Sequence, residues 1–256
     1  MIMSGRLLHY ILNCIIIFLC IHCDSENAFA CLQTDGNIVN IQLELPPFSQ
    51  IQVEDDISIE LRQGDVQEVI LETGENLVSD LNIFVQDGRL IAQNSNSCNL
   101  FRDFGVTLLR ITSPNITAIR HASAFEVRSI GVLNYPSLNL RSDTTGDLDN
   151  PNNVGDFILD LNSESVAIIA NGMGRYFLSG QTENANFFFT DEFPLLEAES
   201  LIVQNLIVRQ VSSAPMRVHP IQSITGFIRG VGDVIAVNRP PIVEVDEQFE
   251  GRLIFD

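Results

Sequence analysis

Hydrophobic residues in this chain come in short bursts set between polar corners, most clearly from Val154 to Thr190. Phe157 to Leu161, Val166 to Ala170, Tyr176 to Leu178 and Phe187 to Phe189 are apolar apart from Asp160, and Asn, Ser and Gly are frequent in the gaps. The bursts recur about every ten residues, a rhythm of many short strands rather than of helices. A short strand between tight polar corners cannot bury its apolar face alone. The simplest arrangement stacks each strand on the preceding one, as in a β-solenoid.

The same pattern extends in both directions. Gly36 to Leu45 reads as an opening strand with Ile38, Ile41, Leu43 and Leu45, stopped by Pro46-Pro47. Strands are predicted at Ser49 to Val53, Ile57 to Leu61, Val66 to Thr73, Leu81 to Gln86, Arg89 to Gln93 and Val106 to Thr112. Asp87-Gly88 joins two of them as a hairpin, because both turn positions need positive φ. Shorter bursts follow at Ile116 to Ile119, Ala124 to Val127 and Leu138 to Leu140. After the central stretch come Leu195 to Ala198, Leu201 to Val203, Leu206 to Val208, Met216 to Val218 and Ile221 to Ile224. Ile242 to Val245 and Leu253 to Phe255 are expected to cap an open end. The predicted class is all-β: a β-solenoid or β-helix-like stack of short strands with an N-terminal antiparallel, hairpin-containing portion. Residues 142–154 are almost wholly polar and predict a protruding loop or an internal boundary.

Composition narrows the function. A hydrophobic content of 45% is that of a folded chain, so the formal net charge of -19 is carried on a folded surface. Such a surface repels nucleic acid and anionic headgroups, which excludes nucleic-acid binding as the leading reading. Trp is absent and Tyr numbers only 3, which weakens a sugar-stacking groove.

The first residues give an address. Leu7 to Ile21 is a nearly continuous apolar run preceded by Arg6, too short to span a bilayer and of the length of a secretory signal, placed at 1–22. Cys23 closes it and is the candidate lipidation site, although His22 stands where a small residue is usual; plain cleavage after Ala28-Phe29-Ala30 is the rival. Cys14 and Cys20 leave with the signal, and Cys31 and Cys98 then remain as an even pair in an exported chain, which reads as a disulfide, with two free thiols as the competing reading. It would close a long loop and contribute about 4 kcal/mol on the chain-entropy model. The expected organisation is a polar leader with the opening strand over 23–47 and a solenoid over 48–256.

Several constellations invite chemistry. Gly172-Met-Gly174 and Gly230-Val-Gly232 lack the strand-to-helix setting of a phosphate loop and read as corners. Asp143, Asp147, Asp149 and Asp156 crowd one segment, but Pro151 breaks the calcium-loop pattern, so a solvated acidic loop is expected and no metal is assigned. His121 and His219 have no triad or metal partner at a suggestive spacing and read as surface or corner residues. Asn115-Ile-Thr117 is a formal glycosylation sequon read as a strand start. Phe187-Phe188-Phe189 raises a carrier of apolar ligands; alternation sends at least one ring outward, where a packed loop is expected to cover it. Asp156, Asp160 and Arg175 are the one group that could serve a polysaccharide-acting enzyme on neighbouring rungs.

The chain resembles the head GIN domain of auto-transporter adhesins, a family of unknown molecular function common in Bacteroidota and often lipoproteins. The likeness covers most of the mature chain and is carried by Asn27-Ala-Phe-Ala-Cys31, Phe48-Ser-Gln-Ile51-Gln-Val53, Gly74-Glu-Asn76-Leu77, Asn96-Ser-Cys98-Asn-Leu-Phe-Arg102 and Ile111-Thr-Ser-Pro114. Gly232-Asp-Val-Ile235, Arg239-Pro240 and Gly251-Arg-Leu253 continue it. The resemblance implies an all-β, solenoid-like envelope protein and supplies no catalytic residue to transfer. The expectation is a non-catalytic, adhesin-like outer-membrane lipoprotein without a cofactor, presenting a surface to a cell-surface or host polysaccharide or protein.

Overall fold

The computed structural model describes residues 33–96, 105–144 and 152–256. In chain order the strands are β1 (Ile38–Gln42), β2 (Gln50–Asp55), β3 (Ile57–Gln63), β4 (Glu68–Gly74), β5 (Leu81–Gln86), β6 (Arg89–Asn94), β7 (Thr107–Ser113), β8 (Ala118–Ser123), β9 (Val127–Leu133) and β10 (Ser137–Ser142). Then come β11 (Phe157–Ala170), β12 (Arg175–Phe189), β13 (Leu195–Gln210), β14 (Met216–Ile228), β15 (Val234–Ala236), β16 (Ile242–Glu247) and β17 (Leu253–Phe255). One 3-10 helix, Glu75–Asp80, sits between β4 and β5. The described chain is all-β, as the bursts predict.

The strands build two stacks that face each other. The first runs β1, β4, β7, β3, β9, the first halves of β11 to β14, then β15 and β17, a curled open sheet of 11 strands. The second runs β5, β6, β2, β8, β10, the second halves of β11 to β14, then β16. Most pairs are parallel; the antiparallel ones, β1 with β4, β4 with β7 and β5 with β6, all lie at the N-terminal end. The predicted antiparallel opening is therefore present, with parallel rungs interleaved.

Two expectations change. The central bursts are not separate strands. Phe157 to Leu161 and Val166 to Ala170 are halves of β11, and β12, β13 and β14 join neighbouring bursts in the same way. The polar residues between them bend the strand from one stack to the other without ending its ladder, and the N–H groups of Glu164 and Ser165 both reach the carbonyl of Pro136. Their side chains stack on equivalent amides: Gln181 donates to Asn162, and Asn162 donates to Asn134. Polar corners chosen for a chain break thus serve as an amide ladder along the bend.

Parallel stacking on the preceding strand holds from β11 to β14 but not among β1 to β9. β2 lies between β6 and β8, and β3 between β7 and β9. The Asp87-Gly88 turn, with φ of 51° and 74°, reverses the chain, so that β6 returns along the edge of β2 away from β8.

The core lies between the stacks. Phe157, Tyr176, Leu196, Met216 and Val234 sit over one another on successive coils and are fully buried. Rings from both stacks meet there: His121 is 5.0 Å from Phe157, Phe157 5.1 Å from Tyr176, and Tyr176 5.7 Å from Phe189. Burying each of the larger side chains stabilises the fold by about 1.5–3 kcal/mol. The Gly-x-Gly phrases form tight corners against the coil below: a Cβ at Gly232 would stand 2.2 Å from the carbonyl oxygen of Ala214. Only a residue without a side chain allows that approach.

Candidate functional site

At one level of the first stack the coils fall out of register. The ladder slips between Ile158 and Asp160 where β11 meets β9, between Phe177 and Ser179 where β12 meets β13, and between Glu197 and Ile202 where β13 meets β14. Gly131, at φ 81°, lies in the β9 slip. An extra residue bends its strand and re-aims side chains, and such bulges favour binding sites. Here they open an outward groove of about 510 Å³ lined by Ser129, Gly131, Ile158, Asp160, Phe177, Ser179, Glu197, Glu199 and Ser200.

Ile158 and Phe177, adjacent in register, are its outward apolar side chains. The Arg175 guanidinium lies 5.6 Å from the Phe177 ring centre and also pairs with Asp156. On the far side, Arg217 Nη1 is 2.9 Å from Glu199 Oε1 and 3.8 Å from Asp256, while its Nε is 3.9 Å from Glu197. The hydrogen bond to Glu199 chiefly holds Arg217 above the ordinary guanidinium range. His219 Nδ1 donates to the backbone oxygen of Glu199 at 2.9 Å. Among the described residues the Asp160 carboxylate has no ion-pair partner.

The group Asp156, Asp160 and Arg175 does not converge. Arg175 engages Asp156, just before β11, but Asp160 lies four residues farther along the chain, about 13 Å away at the usual rise. The groove offers an apolar floor with carboxylates and hydroxyls at its sides, which can hold a ligand by packing and by hydrogen bonds to donors.

Other candidates sit elsewhere. His121 is not a surface or corner residue: it is 1% exposed, and its Nε2 lies 2.7 Å from the carbonyl oxygen of Phe125. Burial lowers its pKa to about 4. The expected solvated acidic loop is overturned at Asp143, which is 4% exposed between Arg120 at 3.4 Å and Arg141 at 2.9 Å. Desolvation lowers the Arg120 pKa despite that carboxylate. Asp147 and Asp149 lie outside the described residues. Phe187 and Phe189 are fully buried, while Phe188 faces outward beneath Arg209, 5.8 Å from its ring centre; a guanidinium rather than a loop covers it. Thr117 of the sequon donates through its N–H and hydroxyl to the carbonyl of Ser49, as a strand start. Residues 1–22, expected to be a signal, and Cys23, Cys31 and Cys98 lie outside the described residues.

The groove leaves little mark on the hydrophobic pattern of the chain. Its sequence traces are the Glu199-Ser200 doublet, which breaks the alternation between Ala198 and Leu201, and the lone Gly131 inside a strand.

The model of the family described as "Putative auto-transporter adhesin, head GIN domain" matches residues 47–240. The chain belongs to this family. The GIN match takes in β2 through β15, and so every strand of the groove. The GIN fold recurs in a solved structure titled a putative adhesin from Bacteroides fragilis, with a TM-score of 0.77 at 18% identity over 87% of this chain and 99% of that one. A putative adhesin from Parabacteroides distasonis gives 0.63 at 14% identity, over 87% and 98%. A structure from the same species titled a putative lipid binding protein gives 0.63 at 15% identity, over 86% and 97%. At such identities the likeness is one of fold. No curated protein matches the chain.

Proposed function

We propose that this GIN protein is a non-catalytic cell-envelope scaffold that binds a surface macromolecule, polysaccharide or protein, through the outward groove of its first stack. The observation that carries the reading is the run of register slips at one level, which replaces regular stacking with a concavity floored by Ile158 and Phe177. The family description, an adhesin's, supports it. Export with lipidation at Cys23, and a Cys31–Cys98 bond fastening the leader to the domain, belong to the same proposal.

The test is binding of the exported protein to immobilised envelope polysaccharides and envelope proteins, wild type against Phe177→Ala and Ile158→Arg. Loss of binding with unchanged thermal unfolding is expected, and undiminished binding by both variants would overturn the assignment of the groove. New reducing ends or unsaturated products from the polysaccharides would overturn the non-catalytic part. Detergent-phase partitioning of wild type and Cys23→Ala tests the anchor, and equal aqueous partitioning would count against it.

A further inference from the structure

We infer that the partner of the groove is a basic, extended protein segment, whose Lys or Arg side chains enter between Asp160 and the pair Glu197 and Glu199; this rests on the groove being the contact surface. Asp160 is on β11 and the glutamates are on β13, two strands away and so about 10 Å across the sheet, with Ser179 in register between Asp160 and Ser200 and the Phe177 ring on the next outward position, between Ile158 and Glu197. Long cationic side chains lay their methylene stems along apolar surface and keep the charged head on the acids. Alternate side chains of an extended segment project on one side about 7 Å apart, within reach of both carboxylate positions.

The protein already displays this chemistry. Arg217 brings a guanidinium to Glu197, Glu199 and Asp256 at the end of the groove, as an internal stand-in for an incoming cation. Asp160, at the other end, has no such partner among the described residues. The net charge of -19 draws cationic partners and repels anionic ones from a distance. A carboxylate-bearing polysaccharide would meet these acids at contact, and a neutral one would leave Asp160 without a counter-charge.

The experiment is calorimetric or fluorescence titration at physiological ionic strength with a blocked pentapeptide of alternating Lys and Ser. The same peptide with Gln for Lys and a neutral dextran serve as comparisons. Asp160→Asn and the double variant Glu197→Gln with Glu199→Gln are each expected to weaken the lysine peptide about three- to tenfold. Glu68→Gln, an exposed acid on β4 outside the groove, should leave affinity unchanged. Arg217→Gln should tighten binding, because it removes the internal competitor. Absence of binding, an equal loss in Glu68→Gln, or tighter binding of dextran would overturn the inference. If Phe177→Ala abolishes binding of an envelope component while the lysine peptide binds no variant, the groove stands as a contact surface and only the partner's chemistry fails.

Discussion

His121 makes the folding equilibrium depend on pH between about 4 and 6.5. Its ring is buried against Phe157, and Nε2–H donates to the carbonyl of Phe125, while Nδ1 has no hydrogen-bond partner among the described residues. The neutral ring suits that site, and burial depresses its folded-state pKa to about 4 from 6.5. Between those values the unfolded chain binds a proton that the folded chain does not. The contribution of a neutral His121 is therefore complete above pH 6.5 and is lost as the pH falls toward 4. At about 1.4 kcal/mol per unit, the loss by pH 4.5 is about 2–3 kcal/mol. Urea unfolding followed by far-UV circular dichroism at pH 7 and pH 4.5 measures it, with wild type set against His121→Gln. The substitution has its own cost, from altered packing and the changed bond to Phe125, but that cost does not vary with pH and cancels in the difference. Wild type should lose about 2–3 kcal/mol more than the variant on acidification. Equal losses would show that His121 does not titrate differently in the two states, and the argument from burial would fail.

Three further outcomes follow from the same stacks. Phe187→Ala empties a fully buried site between coils and should cost about 3–5 kcal/mol, whereas Phe188→Ala, on the outer face, should cost less than about 1 kcal/mol; denaturant midpoints compare them. Gly226→Ala places a Cβ 1.9 Å from the carbonyl oxygen of Val208 at φ 124°, so the ladder between β13 and β14 must shift at a cost of at least about 1–3 kcal/mol, seen as a lowered Tm or failure to fold. Asp156→Asn breaks an exposed pair with Arg175 and should change stability by no more than about 1 kcal/mol, with the difference shrinking in added salt.

The local rules were legible in the chain. Alternating apolar residues mark nearly every strand, and Asp87-Gly88 marks the hairpin, because the turn needs positive φ at two neighbouring positions and these residues tolerate it. Gly172 and Gly230 read correctly as corners, since their setting excludes a helix N-terminus. The family, too, was recognisable from short phrases spread along the chain. What periodicity could not carry was the partner of each strand. Whether Asn162 to Ser165 ends a strand or bends one depends on the coil beneath it, where Pro136 receives two N–H groups at once. Equally, nothing near β2 says that β6 and β8, rather than its neighbours in the chain, will flank it. His121 follows Arg120 in the chain as a surface histidine could, and it is packing against the Phe157 ring of the opposite stack that accompanies its burial. The groove belongs wholly to tertiary structure. A bulge is a mismatch between two strands, so Ile158, Asp160, Phe177 and Glu199 become neighbours only once β9, β11, β12 and β13 are laid side by side out of register.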